Sequence, residues 1–261
     1  MPRVQVAVVG NLSLDRVDGE PPRPGGPPFY AARALAALAV PARLRVKCSA
    51  TDRPRFRELD TAGLPVEWRE GARTATYAFS YHGDARSMEV LELGEPWAPH
   101  ELEGLRGGWV HVGALYRGEF PADTLAALAP ARISFDGQGL VRAAATGALR
   151  LERDADPEVL GRVTVLKLSE DEALTLVDRL EERALSELGV PEVVVTLGSR
   201  GSLVVTRRRL VHVPTDPIAD CDPTGAGDAF AAAYVVARNR GHAPRRAAER
   251  ATRLVLRLLR R

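Results

Sequence analysis

Residues 4–9 (VQVAVV) form a compact apolar run that ends at Gly10, the pattern of a buried strand. A Gly/Pro-rich loop follows, and residues 29–39 (FYAARALAALA) then have the Ala/Leu content of a helix. Residues 44–48 predict a second short strand. Between residues 74 and 93 the pattern changes: TATYAFSYH and SMEVLEL alternate on either side of Gly83-Asp84, which predicts a half-exposed hairpin. Four further β-rich runs, 109–112, 133–135, 163–166 and 193–197, are separated by stretches of helical spacing such as 121–128 and 170–177. Residues 202–213 (SLVVTRRRLVHV) predict another hairpin, and 226–238 and 243–260 the last two helices. Strands alternating with helices imply an α/β fold with a mostly parallel sheet covered on both faces.

No internal repeat, low-complexity tract or long linker divides the 261 residues, so the expectation is one domain over 1–261. Its elaboration is a small β lid built from residues around 11–28 and 65–93. The exposed alternating face of that lid would serve equally as an oligomer contact.

Composition narrows the partners. Lys plus Arg is 36 and Asp plus Glu is 34, a formal net charge of +2, so no polyanion is expected as a partner and no nucleic acid is assigned. Two cysteines, Cys48 and Cys221, give no disulfide framework and no zinc spacing, which suits a reducing cytoplasm. The first ten residues are too short for a membrane span and lack signal-peptide features, so no membrane role is expected. Lysine occurs only at Lys47 and Lys167 and asparagine only at Asn11 and Asn239. That bias fits heat tolerance and GC-rich coding equally. The five histidines, His82, His100, His111, His212 and His242, are scattered without metal-ligand spacing.

The most informative segment is Asp222-Pro223-Thr224-Gly225-Ala226-Gly227-Asp228-Ala229-Phe230, leading straight into AAAYVVA. Two glycines at a helix start allow close backbone approach, and the free N–H groups there make an anion site, phosphate above all. Asp228 then falls in the first helical turn, where the helix dipole favours its ionised, proton-accepting form. Capping by Asp222 or Thr224, with Asp228 merely complementing the dipole, is the alternative that an isolated G-x-G would favour.

The whole string resembles the C-terminal signature D-T-x-G-A-G-D-x-F of the ribokinase-like, or PfkB-type, carbohydrate kinases, with Pro223 at the second position. The resemblance implies a ribokinase-like three-layer fold and an ATP-dependent phosphotransferase with Mg²⁺ as cofactor. It puts the hydroxyl-deprotonating base on Asp228 and the anion hole on Gly225, Ala226 and Gly227. Residues 8–15 (VVGNLSLD) are similar to the family's first strand and loop, which assigns Asn11 and Asp15 to the sugar hydroxyls. Residues 24–31 (PGGPPFYA) resemble the N-terminal signature, with Gly25 and Gly26 against the substrate and Tyr30 near the family's usual Asn. Leu166-Lys167-Leu168-Ser169-Glu170-Asp171-Glu172 resembles N-x-x-E: Ser169 takes the Asn place and Glu172 would organise Mg²⁺ through water. Acidic residues at 170–172 would equally serve the dipole of a helix start.

Thr196, Gly198 and Gly201 match a T-x-G-x-x-G loop beside the nucleotide, and Lys167 and Thr224 join them on that side. Asp136-Gly137-Gln138 with Arg142 downstream is similar to a substrate-side segment of some members, and with the 74–93 hairpin looks somewhat like the inositol-kinase type. A surface role for Arg142 is the open alternative. Arg246, Arg250, Arg253, Arg257 and Arg260 make one basic face on the last helix, which reads as a solvated face rather than a nucleic-acid or membrane site.

The implied function is phosphorylation of a hydroxyl on a small sugar, polyol (an inositol among them) or related metabolite, with ATP as partner and a homodimer through the lid strands. A nucleoside or vitamin-precursor kinase of the same fold, or a non-catalytic nucleotide- or sugar-binding protein, are the alternatives.

Overall fold

A computed structural model describes residues 6–82, 85–105, 108–207, 209–218 and 221–260; the expected turn at Gly83-Asp84 lies outside them. The chain starts in β1 (Val6–Asn11), steps through Leu12 and continues as β2 (Ser13–Val17) in a different sheet. Then come β3 (Arg23–Gly25), α1 (Pro27–Leu38), β4 (Ala42–Cys48), α2 (Glu58–Thr61), β5 (Val66–Glu70), β6 (Ala75–His82) and β7 (Ala85–Glu92). The middle of the chain holds α3 (Pro99–Leu102), β8 (Trp109–Val112), α4 (Ala122–Ala126), β9 (Arg132–Asp136), α5 (Gln138–Val141), β10 (Gly147–Ala148) and α6 (Pro157–Leu160). It closes with β11 (Val165–Ser169), α7 (Glu170–Leu176), α8 (Glu182–Ser186), β12 (Glu192–Thr196), β13 (Ser202–Thr206), β14 (Arg209–Val213), α9 (Ala226–Asn239) and α10 (Pro244–Leu259).

The main sheet has nine strands in the order β14-β13-β12-β11-β9-β8-β1-β4-β5, parallel from β5 to β12 and antiparallel over the β12-β13-β14 meander. A second sheet of five strands, β10-β7-β6-β2-β3, stands apart from it. The small sheet therefore takes its strands from 13–25, 75–92 and 147–148. The expectation that all of 65–93 belongs to it fails at β5, which pairs in parallel with β4 at the edge of the main sheet. An edge strand such as VEWRE is half-exposed wherever it lies, so its alternation does not tell which sheet it joins.

Both faces of the main sheet are buried, as a parallel sheet requires. Val8, Leu44 and Val194 pack under α1, α9 and α10, while Val9, Phe135, Leu168 and Val195 pack under α3 to α8. Truncating a fully buried residue such as Leu35 or Leu44 would cost about 2–5 kcal/mol. Helix α9 is buried from Asp228 to Ala237, and its alanines let it lie close between α1 and α10. Helix α10 buries Ala247, Ala248, Ala251 and Leu254 and turns its arginines to solvent, where Arg245 and Arg246 pair with Glu249 at 3.0 and 3.2 Å. Among the described residues no helix is long and apolar enough to cross a membrane.

Order reverses at β1: the chain goes to one side with β4 and to the other with β8. Ligands of open parallel sheets bind outside the strand carboxyl ends at such a switch point. Asn11 and Asp136 end their strands at this rim, Lys167 lies two residues before the end of β11, and α1 and α9 both begin close by.

Candidate active site

Two polar clusters meet at this rim. The first comes from β2, β3 and α1. Antiparallel register sets Ser13 opposite Gly25, and the Ser13 hydroxyl donates to Asp15 Oδ1 at 2.8 Å. A Cβ on Gly25 would run into the Asp15 carboxylate, so glycine is what lets that carboxylate lie against the neighbouring strand. Asp15 is 8% exposed, and the Tyr30 hydroxyl lies 3.5 Å from its Oδ2. Asn11 is turned toward a separate buried acid: its N–H donates to Glu119 Oε1 at 3.3 Å, and its side-chain N–H donates to the Glu95 carbonyl at 2.9 Å. Its buried Oδ1 has no hydrogen-bond partner among the described residues. Burial pushes Glu119 up to about 8, against the backbone donors at Leu115 and Asn11 that favour its charge.

The second cluster surrounds the start of α9. Asp222 Oδ1 accepts from the Thr224 N–H at 2.9 Å and its hydroxyl at 2.6 Å, an Asx-type turn that delivers the chain to Gly225. Gly225 caps α9 with φ +75°, a left-handed backbone that glycine adopts freely. The Ala226 N–H closes a turn onto the Pro223 carbonyl at 3.0 Å, so that amide is already engaged. The first-turn amides of a helix have no partner inside the helix, which keeps the anion-site expectation for Gly225 and Gly227 physically sound.

Asp228 is buried in this first turn, and its Oδ1 has no hydrogen-bond partner among the described residues. Burial and the nearby Asp136 push it up to about 7, while Lys167 and Arg142 pull the other way. Parallel register places Lys167 beside Asp136, with Nζ 3.3 Å from Oδ2 and 3.0 Å from where a Gly227 Cβ would stand. Burial works against the Lys167 ammonium, and Asp136, Glu172 and Asp228 outweigh it, so its pKa lies above the ordinary lysine value.

Ser169 and Glu172 form a capping box on α7: Glu172 Oε2 accepts from the Ser169 N–H at 2.8 Å, and the Ser169 hydroxyl accepts from the Glu172 N–H at 3.3 Å. Serine in place of asparagine thus still fixes the glutamate. Its other oxygen lies 3.8 Å from Arg142. Arg142 lies within charge reach of Asp228 and of Tyr77, and its guanidinium is 4.0 Å from Met88 Sδ, so it faces both the α9 cluster and the small sheet.

The β12–β13 loop reaches this cluster through α7. Thr196 lies beside Ser169 in register and donates its hydroxyl to the Leu168 carbonyl at 3.2 Å. Gly198 and Gly201 both have positive φ, Arg200 pairs with Glu170, and His212 donates to the Arg200 carbonyl at 2.8 Å. Tyr30 joins the two clusters, since its ring fills the space a Gly225 side chain would need. Asp136, which ends the apolar run ISFD in the segment read as substrate-side, is fully buried and faces Lys167 and Asp228.

The phenol of Tyr30 feels both buried carboxylates, Asp15 beside Gly25 and Asp228 in the first turn of α9. Residues 59–254 match the pattern described as pfkB family carbohydrate kinase. The chain belongs to that family. A deoxyribokinase of Salmonella typhi is 42% identical over 52 residues, 20% of this chain and 17% of the relative, so the match spans under a fifth of that protein's length. A pyrophosphate-dependent kinase in the ribokinase family, complexed with a pyrophosphate analog and myo-inositol, superposes with a TM-score of 0.87 at 23% identity over 98% of this chain and 95% of that one. Arabidopsis thaliana ribokinase complexed with ribose and ATP gives 0.71 at 21% identity, covering 99% of each chain. These likenesses establish the ribokinase-like three-layer fold.

Proposed function

We propose that this family member transfers the γ-phosphoryl group of ATP to a hydroxyl of a small sugar or polyol. The observation that carries the reading is Asp228: a buried carboxylate in the first turn of α9, with one unpartnered oxygen and a pKa raised to about 7. A base of that strength holds its proton weakly enough to be ionised near neutrality and strongly enough to take one from an alcohol in the transition state. The acceptor oxygen attacks the γ-phosphorus, its proton passes to Asp228, and the bond from phosphorus to the bridging oxygen breaks to release ADP. Lys167 and Arg142 offset the charge on the equatorial oxygens, with the amides at Gly225 and Gly227 beneath them. Asp15, Gly25, Gly26 and the free oxygen of Asn11 hold the acceptor; Thr196, Gly198, Gly201 and Thr224 flank the nucleotide.

Among the described residues no group of three or more His, Cys, Asp or Glu is arranged to hold a metal ion. A single carboxylate, Glu172, would reach through water a Mg²⁺ ion that keeps most of its own waters. When bound, the ion would neutralise phosphate charge.

A second donor, inorganic pyrophosphate, is put forward on the fold likeness, since Arg200 in the loop beside the donor is already paired with Glu170 and does not choose between donors. The pyrophosphate-dependent kinase that shares this fold gives the precedent. Two free cysteines support a reducing, cytoplasmic setting, and the edges at β3 and β10 support pairing of two copies through the small sheet. Turnover of D-ribose, D-fructose, myo-inositol and cytidine with Mg·ATP and with Mg·pyrophosphate tests the reading. Acceptor-dependent product with either donor supports it, and ATP binding without turnover of any acceptor moves the chain to the binding-protein alternative.

A further inference from the structure

The residues between β7 and α3 carry the chain from the small sheet back to the main one, and each carbonyl from Gly94 to Trp97 accepts a side-chain hydrogen bond. The Tyr116 hydroxyl donates to Gly94 at 2.7 Å, Asn11 Nδ2 to Glu95 at 2.9 Å, Lys47 Nζ to Pro96 at 3.1 Å and the Thr124 hydroxyl to Trp97 at 2.9 Å. The donors come from the loop after β8, from β1, from β4 and from α4, all outside the small sheet. A Cβ on Gly94 would stand 2.5 Å from Asn11 Nδ2, so glycine is what lets the Asn11 amide lie against this segment.

One carboxyl sets two of these donors. Glu119, fully buried, accepts from the Asn11 backbone N–H on Oε1 at 3.3 Å and from the Leu115 N–H on Oε2 at 2.5 Å, and Leu115 directly precedes Tyr116. The Glu119 carbonyl also accepts from the Trp97 N–H at 2.7 Å, and Trp97 stacks on Phe120 with ring centroids 5.5 Å apart. A simple staple would leave Asn11 fully bonded. Instead its Oδ1 is buried without a partner among the described residues, at the end of β1 where strand order reverses. Such an oxygen costs free energy until a donor reaches it. We propose that Glu119 is a positioning residue of the transfer reaction: it fixes Asn11 so that the amide nitrogen holds the 94–97 segment while Oδ1 is presented to an acceptor hydroxyl. The proposal rests on the kinase reading above and adds to it a residue that acts on the acceptor only through Asn11.

The test is steady-state kinetics of wild type, Glu119→Gln, Glu119→Ala and Thr124→Val with D-ribose, D-fructose, myo-inositol and cytidine, using whichever donor wild type accepts, with thermal melts as a folding control. An amide nitrogen accepts no hydrogen bond, so Glu119→Gln loses one of the two backbone bonds and Glu119→Ala loses both. Acceptor KM rises about fivefold in the first and at least about tenfold in the second, while donor KM and kcat stay within about twofold. Thr124→Val frees the Trp97 carbonyl of the same segment without touching Asn11, so it lowers the melting temperature and leaves acceptor KM within about twofold. A readout that needs no turnover comes from the side-chain amides: Asn11 and Asn239 are the asparagines and Gln5 and Gln138 the glutamines, so the heteronuclear amide spectrum of wild type holds four such pairs. Solvent exchange of the Asn11 pair quickens at least about tenfold in the folded Glu119 variants and keeps its wild-type rate in Thr124→Val. Unchanged Asn11 exchange or unchanged acceptor KM in the folded Glu119 variants, or an equal rise of acceptor KM in Thr124→Val, overturns the assignment while leaving the kinase reading intact. Absence of turnover by wild type with both donors overturns the kinase reading and this inference with it.

Discussion

Replacing Gly225 by alanine probes the contact that ties the two halves of the site together. Two separate costs arise. The backbone at this position has φ +75°, and a left-handed conformation costs a residue with a Cβ about 1–2 kcal/mol. The new methyl would also meet the Tyr30 ring, and forcing extra volume into a packed contact costs about 1–3 kcal/mol. The sum, about 2–5 kcal/mol, is a large part of the stability of an ordinary domain. A double-mutant cycle separates the two parts, with urea unfolding of wild type, Gly225→Ala, Tyr30→Ala and the double variant. Removing the ring leaves only the backbone cost, so the alanine at 225 should destabilise the Tyr30→Ala background by about 1–2 kcal/mol. The coupling energy between the sites is then about 1–3 kcal/mol. Additivity within about 0.5 kcal/mol would refute the contact of the Tyr30 ring with Gly225, because residues in contact couple and distant ones do not.

Three further outcomes follow from the same geometry. Asp228, pushed up to about 7 by burial and Asp136, must be ionised to act, so kcat/KM should fall about tenfold per pH unit below 7, and Asp136→Asn should move that inflection downward. Glu119 is raised from 4.5 to about 8 on folding, so the native state holds its proton more tightly than the unfolded chain; stability should fall as pH rises from about 4.5 to 8, by at most about 5 kcal/mol at 1.36 kcal/mol per unit, and urea titrations of Glu119→Gln should show that slope flattened. Glu172→Gln should keep the cap on α7 but raise the Mg²⁺ concentration for half-maximal rate about tenfold, whereas an unchanged Mg²⁺ response would remove Glu172 from the metal's surroundings.

What was legible in the sequence was local. The string from Asp222 to Phe230 encodes its own turn, cap and helix start, and the structure builds those elements from those residues. Val6–Asn11 and the β11–β12 pair announced themselves as apolar runs because parallel strands are buried on both faces. Four-residue helices such as α2 and α6 carry no full period and left no pattern to read. Contacts between distant segments were hidden for a different reason: nothing near Tyr30 says that its ring will lie on Gly225, and nothing near Arg142 says that it will face Glu172. The roles of Lys167 and Asp136 likewise depend on β9 and β11 being neighbours in the sheet, which is a matter of strand order.

Asp228 as the base of a phosphoryl transfer is tested by acceptor-dependent release of ADP, or of phosphate from pyrophosphate, by wild type and Asp228→Asn side by side. Donor binding measured by calorimetry serves as the control for folding. Wild type should show acceptor-dependent turnover and the variant a kcat lowered about 10²–10⁴-fold, with donor affinity changed by less than about threefold. A variant that keeps more than about a tenth of wild-type kcat would contradict it.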